Sequence, residues 1–188
     1  MNKMSAFILA GGESKRFGRD KSLYIYKNKP LIEHVFDVLK TIFIDISIIS
    51  NDYDRYSYLR LPSFPDNING KGPLIGIHSA LCHSKTSNAF IVACDMPNID
   101  SKFIKYLISI SMGFDVIIPY INNNYEPLHA IYSRDCIVHI KKQIEDGERK
   151  ISSFFDKVTV KKINKEVIDQ YADCTHVFKN INFLKDLE

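Results

Sequence analysis

The chain is 188 residues long, 45% hydrophobic and 25% charged, with a formal net charge of +3. That length suits a single domain, 1–188, with room for a real core, and the composition excludes a disordered chain. So small a charge excludes a nucleic-acid or membrane-surface protein, which needs clustered basic excess, so no nucleic acid and no membrane is expected as a partner.

Met4 to Ala10 is a continuous apolar run that stops at Gly11-Gly12, the pattern of a strand covered by helices on both faces. Pro30 opens a helical pattern with Leu31, Val35, Val38, Leu39 and Ile42 on one stripe. Asp45 to Ser50 reads as the next strand, and Leu74 to Ser84 as a helix entered through Lys71-Gly72-Pro73. Ala89 to Cys94 is a second buried strand, ending at Asp95, and Asp100 is placed to cap a helix over Ser101 to Met112. Strands follow over Asp115 to Tyr120 and Leu128 to Tyr132, then a helix over Arg134 to Glu145, a strand over Val158 to Ile163 and a short C-terminal helix. Strands alternating with helices predict an α/β fold, three-layered and Rossmann-like, with a mostly parallel sheet. Ligands of such sheets bind beyond the carboxyl ends of the strands, which directs attention to the residues after Ala10, Ser50 and Cys94.

Cys82, Cys94, Cys136 and Cys174 form no Cys-x-x-Cys pair and have no histidine at zinc-finger spacing. They read as reduced thiols. The apolar N-terminal run is too short for a signal-peptide core, and no uncharged stretch is long enough to span a bilayer, so the cytoplasm is the expected compartment.

Leu9-Ala10-Gly11-Gly12-Glu13-Ser14-Lys15-Arg16-Phe17-Gly18-Arg19-Asp20-Lys21 is the most informative stretch. Paired glycines after a buried strand let backbone N–H groups turn toward an anion. Arg16 offers a planar fork for phosphate oxygens and Lys21 a point charge, the donors a triphosphate needs. The other reading of the same residues is a Gly-Gly turn followed by a solvated basic loop. A Walker A loop needs Lys directly after its last glycine, whereas Gly18 is followed by Arg19-Asp20-Lys21, and the Gly-x-Gly-x-x-Gly dinucleotide fingerprint is absent.

This loop resembles the signature of the molybdenum cofactor guanylyltransferases, part of a wider nucleotidyltransferase family. Gly11 stands where the related cytidylyltransferases usually carry alanine. The resemblance continues through Lys29-Pro30-Leu31-Ile32, Asn51, Asp66, Gly72-Pro73-Leu74-Ile75-Gly76, Cys94-Asp95-Met96-Pro97, Glu126-Pro127-Leu128-His129-Ala130, Gly147-Glu148-Arg149-Lys150 and Phe178 to Asn182. The family commonly continues Asn-Thr-Pro at its end, whereas this chain reads Asn182-Phe183-Leu184.

The resemblance implies a Mg²⁺-dependent enzyme that moves GMP from GTP to the phosphate of molybdopterin and releases pyrophosphate. It implies GTP contacts from Leu9, Ala10, Gly11, Gly12, Lys21, Asn51, Asp66 and Asp95, with Arg16, Lys21 and Asp95 as the catalytic set. Asp95, at the carboxyl end of a buried strand, would hold the ion through its carboxylate. A carboxylate at 66 can accept the N1–H and N2–H of guanine together, although Asn51 and Asp66 taken alone read as turn residues. His129, Arg149, Asn180 and Asn182 are the candidates for the acceptor. His129, between Leu128 and Ala130, equally reads as a packed strand residue, and Arg149 as part of a surface loop. Transient contacts with cofactor-maturation proteins are a further implication. CTP with molybdopterin, an NTP with a sugar phosphate, and a nucleotide sensor without turnover stay open as alternatives.

Overall fold

The computed structural model describes residues 3–11, 21–52 and 54–181. The strands are β1 (Ser5–Leu9), β2 (Ile25–Tyr26), β3 (Lys29–Pro30), β4 (Ile46–Ile49), β5 (Ser63–Phe64), β6 (Asn88–Ala93), β7 (Val116–Ile121), β8 (Asn124–Tyr125), β9 (His129–Ser133) and β10 (Val160–Ile163). The α-helices are α1 (Leu31–Leu39), α2 (Pro73–His83), α3 (Ser101–Ser109), α4 (Cys136–Glu145), α5 (Lys165–Ile168) and α6 (Cys174–Val177). Three 3₁₀ segments, Lys21–Leu23, Asp54–Leu59 and Ile151–Lys157, complete the elements.

The main sheet has eight strands in the order β10-β7-β9-β6-β1-β4-β5, with β8 paired to β7. Strand β1 is parallel to both β4 and β6, and β4 to β5. Strand β9 is antiparallel to both of its neighbours, so β7 and β10 point the same way as β1. The sheet is thus mixed but mostly parallel, as the sequence predicts. The carboxyl ends of β1, β4, β5 and β6 meet along one edge, and β9 starts from that edge.

Two cores explain why β1 is apolar from Ala6 to Leu9. Ala6 and Ile8 face one core with Ile32, Val35 and Leu39 of α1 and Phe103, Ile104 and Leu107 of α3. Phe7 and Leu9 face the other, with Leu74, Ile77 and Leu81 of α2 and Cys136 and Ile140 of α4. Successive strand residues point to opposite faces, so a strand between two helical layers must be apolar at every position. Helix α2 lies so close to β1 that a Cβ on Gly76 would stand 3.1 Å from Leu9 Cδ1.

Asp100 caps α3 as expected: its Oδ1 accepts from the Lys102 N–H at 2.7 Å and the Phe103 N–H at 3.1 Å. The helix stops at Ser109, short of the expected Met112, because the chain reverses through Gly113 at φ +82 and leaves Met112 90% exposed. Helix α1 ends at Leu39, and Ile42 reaches the core from the turn beyond it. The hairpin β2–β3 turns through Lys27 and Asn28, both at positive φ. The C-terminal stretch holds two short helices rather than one, each begun by a side-chain cap from Asn164 or Asp173.

Candidate active site

Strand β1 delivers the chain to Ala10 and Gly11 at the ligand-bearing edge. The Ala10 N–H bonds the Ile49 carbonyl at 3.0 Å and the Cys94 N–H bonds the Leu9 carbonyl at 3.1 Å, so the ends of β4, β1 and β6 are locked side by side. Among the described residues nothing stands within 4 Å of where a Cβ on Gly11 would lie. Gly12 and Arg16 lie outside the described residues.

Tyr56, buried beneath the edge, donates from its hydroxyl to the Ala10 carbonyl at 3.2 Å and lies 2.8 Å from the Ser22 hydroxyl. It therefore ties residue 10 to residue 22, the two shores of the glycine-rich segment. Sequence reasoning gave Tyr56 no role, since one tyrosine among ten carries no distinguishing pattern.

Asp95 stands two residues past the end of β6. Lys21 Nζ donates to its Oδ2 at 2.5 Å, with the two side chains only 15% and 20% exposed. Asp95 Oδ1 is buried and has no hydrogen-bond partner among the described residues. A carboxylate oxygen shut from water without a donor is costly, and an incoming cation offsets that cost. The Asp95 carbonyl accepts from the Ile181 N–H at 3.1 Å, which draws the C-terminal segment to the same turn. Asn180, next in chain, also has a buried and unpartnered Oδ1. Asn182 lies outside the described residues.

Asn51 and Asp66 meet at the other end of the edge. Asn51 Nδ2 donates to Asp66 Oδ2 at 3.0 Å, and the Asp66 N–H donates to Asn51 Oδ1 at 2.9 Å. Arg149 is exposed and sits against the turn into α2, its Nη1 3.7 Å from the position of a Cβ on Gly70.

His129 requires a correction. As an acceptor contact it would need an open ring, yet it is 0% exposed on β9, opposite Val92, with Phe90, Phe103 and Phe178 packed around it. Among the described residues neither ring nitrogen has a partner, and burial pulls its pKa down to about 3. It is a neutral core residue. Glu126, three residues earlier, is half-buried where the chain crosses the edge from β8 into β9, and desolvation raises its pKa. Its N–H bonds the Pro119 carbonyl at the end of β7.

Among the described residues no three His, Cys, Asp or Glu side chains converge on a metal position. A divalent ion at this edge would be held by Asp95 together with oxygens of a bound ligand, the usual manner for Mg²⁺. The unpartnered Oδ1 of Asp95 fits that duty.

An open sheet with a glycine, a lysine and a half-buried carboxylate at its carboxyl edge suits an α/β nucleotidyltransferase. The chain belongs to the MobA-like NTP transferase family, whose domain model matches residues 6–162. It is 35% identical over 187 residues to the "Probable molybdenum cofactor guanylyltransferase" of Pelotomaculum thermopropionicum, covering 100% of this chain and 91% of that one. It is 32% identical over 190 residues to the molybdenum cofactor guanylyltransferase of Desulfosudis oleivorans, covering 100% of this chain and 94% of that one. Among solved structures it resembles the molybdopterin-guanine dinucleotide biosynthesis protein A of Archaeoglobus fulgidus, with a TM-score of 0.84 at 26% identity, covering 98% of this chain and 95% of that one.

Proposed function

We propose that this protein transfers GMP from GTP to the terminal phosphate of molybdopterin, releasing pyrophosphate and forming the guanine dinucleotide form of the cofactor. The names of its full-length relatives support the substrate pair. The observation that carries the chemistry is Asp95, with Lys21 on one oxygen and the other oxygen buried and unpartnered.

A phosphate monoester is already anionic at neutral pH, so the attacking oxygen needs no strong base. That oxygen attacks the α-phosphorus of GTP, the bond from the α-phosphorus to the bridging oxygen breaks, and pyrophosphate carries away the electron pair. The protein contributes position and charge. The Gly11 and Gly12 amides, Arg16 and Lys21 hold the triphosphate. Asp66 accepts the N1–H and N2–H of guanine, a pair that cytosine, adenine and uracil do not offer. Asn180, next to the Ile181 that bonds the Asp95 turn, is the residue assigned to the acceptor. Asp95 holds Mg²⁺, which supplies neutralisation of charge on the phosphate oxygens when bound. Cytoplasmic residence belongs to the same reading. Four free cysteines suit a reducing compartment, and among the described residues no helix is long and apolar enough to cross a membrane.

The test is pyrophosphate release from purified protein, molybdopterin and Mg²⁺ with each of the four common NTPs. The proposal expects release with GTP far above the other three. Equal release with CTP, or none with any NTP, overturns it.

A further inference from the structure

Asp66 is not a free loop carboxylate. Besides its reciprocal pair of bonds with Asn51, it lies beside Ser79 of helix α2, and His83, one turn further along that helix, reaches the neighbouring Asn67. The Ser79 hydroxyl accepts from the Asn67 N–H at 2.9 Å and donates back to the Ile75 carbonyl at 2.9 Å. Its oxygen stands 3.5 Å from Asp66 Oδ1. A hydroxyl has one proton, so the shorter contact to Ile75 takes it, and the hydroxyl serves the 66–67 segment as an acceptor. Ser79 is 0% exposed, so no water replaces it there. His83 Nε2 lies 2.9 Å from Asn67 Oδ1, and its ring stacks on Phe64 of β5 at 4.1 Å between centroids. The residues flanking Asp66 are thus fixed from α2, and its carboxylate is fixed from Asn51.

The bonding also changes what Asn51 does. Both ends of its amide are turned to Asp66, the oxygen to the N–H and the nitrogen to the carboxylate. A side chain so engaged holds the carboxylate in place, and one amide N–H and one oxygen lone pair stay available to a ligand.

We propose that Asn51, Ser79 and His83 are positioning residues that set guanine specificity through Asp66. This rests on the reading of Asp66 as the acceptor of guanine's N–H edge. A carboxylate oxygen has two lone pairs, so Asp66 keeps acceptor capacity on both oxygens after bonding Asn51. Two parallel hydrogen bonds to a purine demand a fixed carboxylate plane. A loop aspartate able to rotate would lose that freedom on binding and would discriminate less sharply. The clamp removes the rotation before the nucleotide arrives.

The test compares GTP with ITP, which lacks only the 2-amino group, by calorimetric binding. One charge-assisted hydrogen bond separates the two, so the unaltered protein should prefer GTP by roughly ten- to a hundredfold. Asp66→Ala should abolish that preference. Asn51→Ala, at an exposed position, and Ser79→Ala should each narrow it several-fold, weakening GTP more than ITP, because GTP places two hydrogen bonds on the carboxylate and ITP one. His83→Phe keeps the stack on Phe64 but loses the Asn67 bond, and it should narrow the preference in the same way. A merely structural role would weaken both nucleotides in parallel and leave the ratio intact. An intact ratio in all three clamp variants, with Asp66→Ala abolishing it, overturns the positioning role and spares the reading of Asp66. An intact ratio in Asp66→Ala overturns that reading, and the clamp with it.

Discussion

Lys21 occupies one oxygen of Asp95, a carboxylate for which a divalent ion would compete. Lys21→Ala should therefore tighten Mn²⁺ binding in the absence of nucleotide, read by paramagnetic relaxation, while lowering kcat/KM about 100-fold or more through lost charge stabilisation. Asp95→Asn should retain the fold by circular dichroism and lose Mg²⁺-dependent turnover. His129 makes a stability prediction. Its folded pKa of about 3 lies below the ordinary 6.5, so the unfolded chain binds the extra proton between those values. Its share of stability is complete above pH 6.5 and is lost as pH falls toward 3, at about 1.4 kcal/mol per pH unit. Denaturant titrations at pH 7 and pH 5 should show that loss, and His129→Leu should flatten it. The sequence showed His129 between two apolar neighbours, which is the mark of its burial. It could not show the phenylalanines from β6, α3 and the C-terminal segment that surround it, because those arrive from distant positions.

The elements carrying the site were legible because each depends on local pattern. Strands β1 and β6 are apolar at every position after their first residue, and the Asp100 cap sits one residue before its helix. Strands β2, β3, β5 and β8 span two residues each, too few for any period to register, and they appear only when a partner strand supplies their hydrogen bonds. The reversed direction of β9 is likewise a property of pairing. Two expected outcomes belong at this scale. Asp100→Ala removes an N-cap that takes two backbone donors and should cost about 1 kcal/mol in urea unfolding. Tyr56→Phe removes a buried hydroxyl that joins both shores of the glycine segment. It should cost about 1 kcal/mol of stability and raise the KM for GTP more than it lowers kcat, since the loop is loosened and no reacting atom is touched.

At the scale of the molecule, two cores share one sheet, and every strand of β1, β6 and β9 belongs to both. Neither core keeps its surface buried if the sheet comes apart, so far-UV and near-UV signals should lose structure in a single coincident transition. Two separated transitions would contradict a single-domain reading of 1–188. The same sheet sets the positions along its edge: Asn51 and Asp66 after β4 and β5 at one end, Gly11 and Asp95 after β1 and β6 at the centre, and Asn180 close to the Asp95 turn. The α/β layering and this edge follow from patterns in the chain, whereas the clamp of Asp66 from α2 depends on how the helix packs and has no sequence signature. The most direct measurement is a crystal structure of the protein soaked with GTP and Mn²⁺, with the ion located by its anomalous signal. The account predicts a peak in bonding contact with the Asp95 carboxylate, Lys21 released onto phosphate, and guanine against Asp66. An ion bound away from Asp95, or a nucleotide seated away from the ends of β1 and β6, would contradict it.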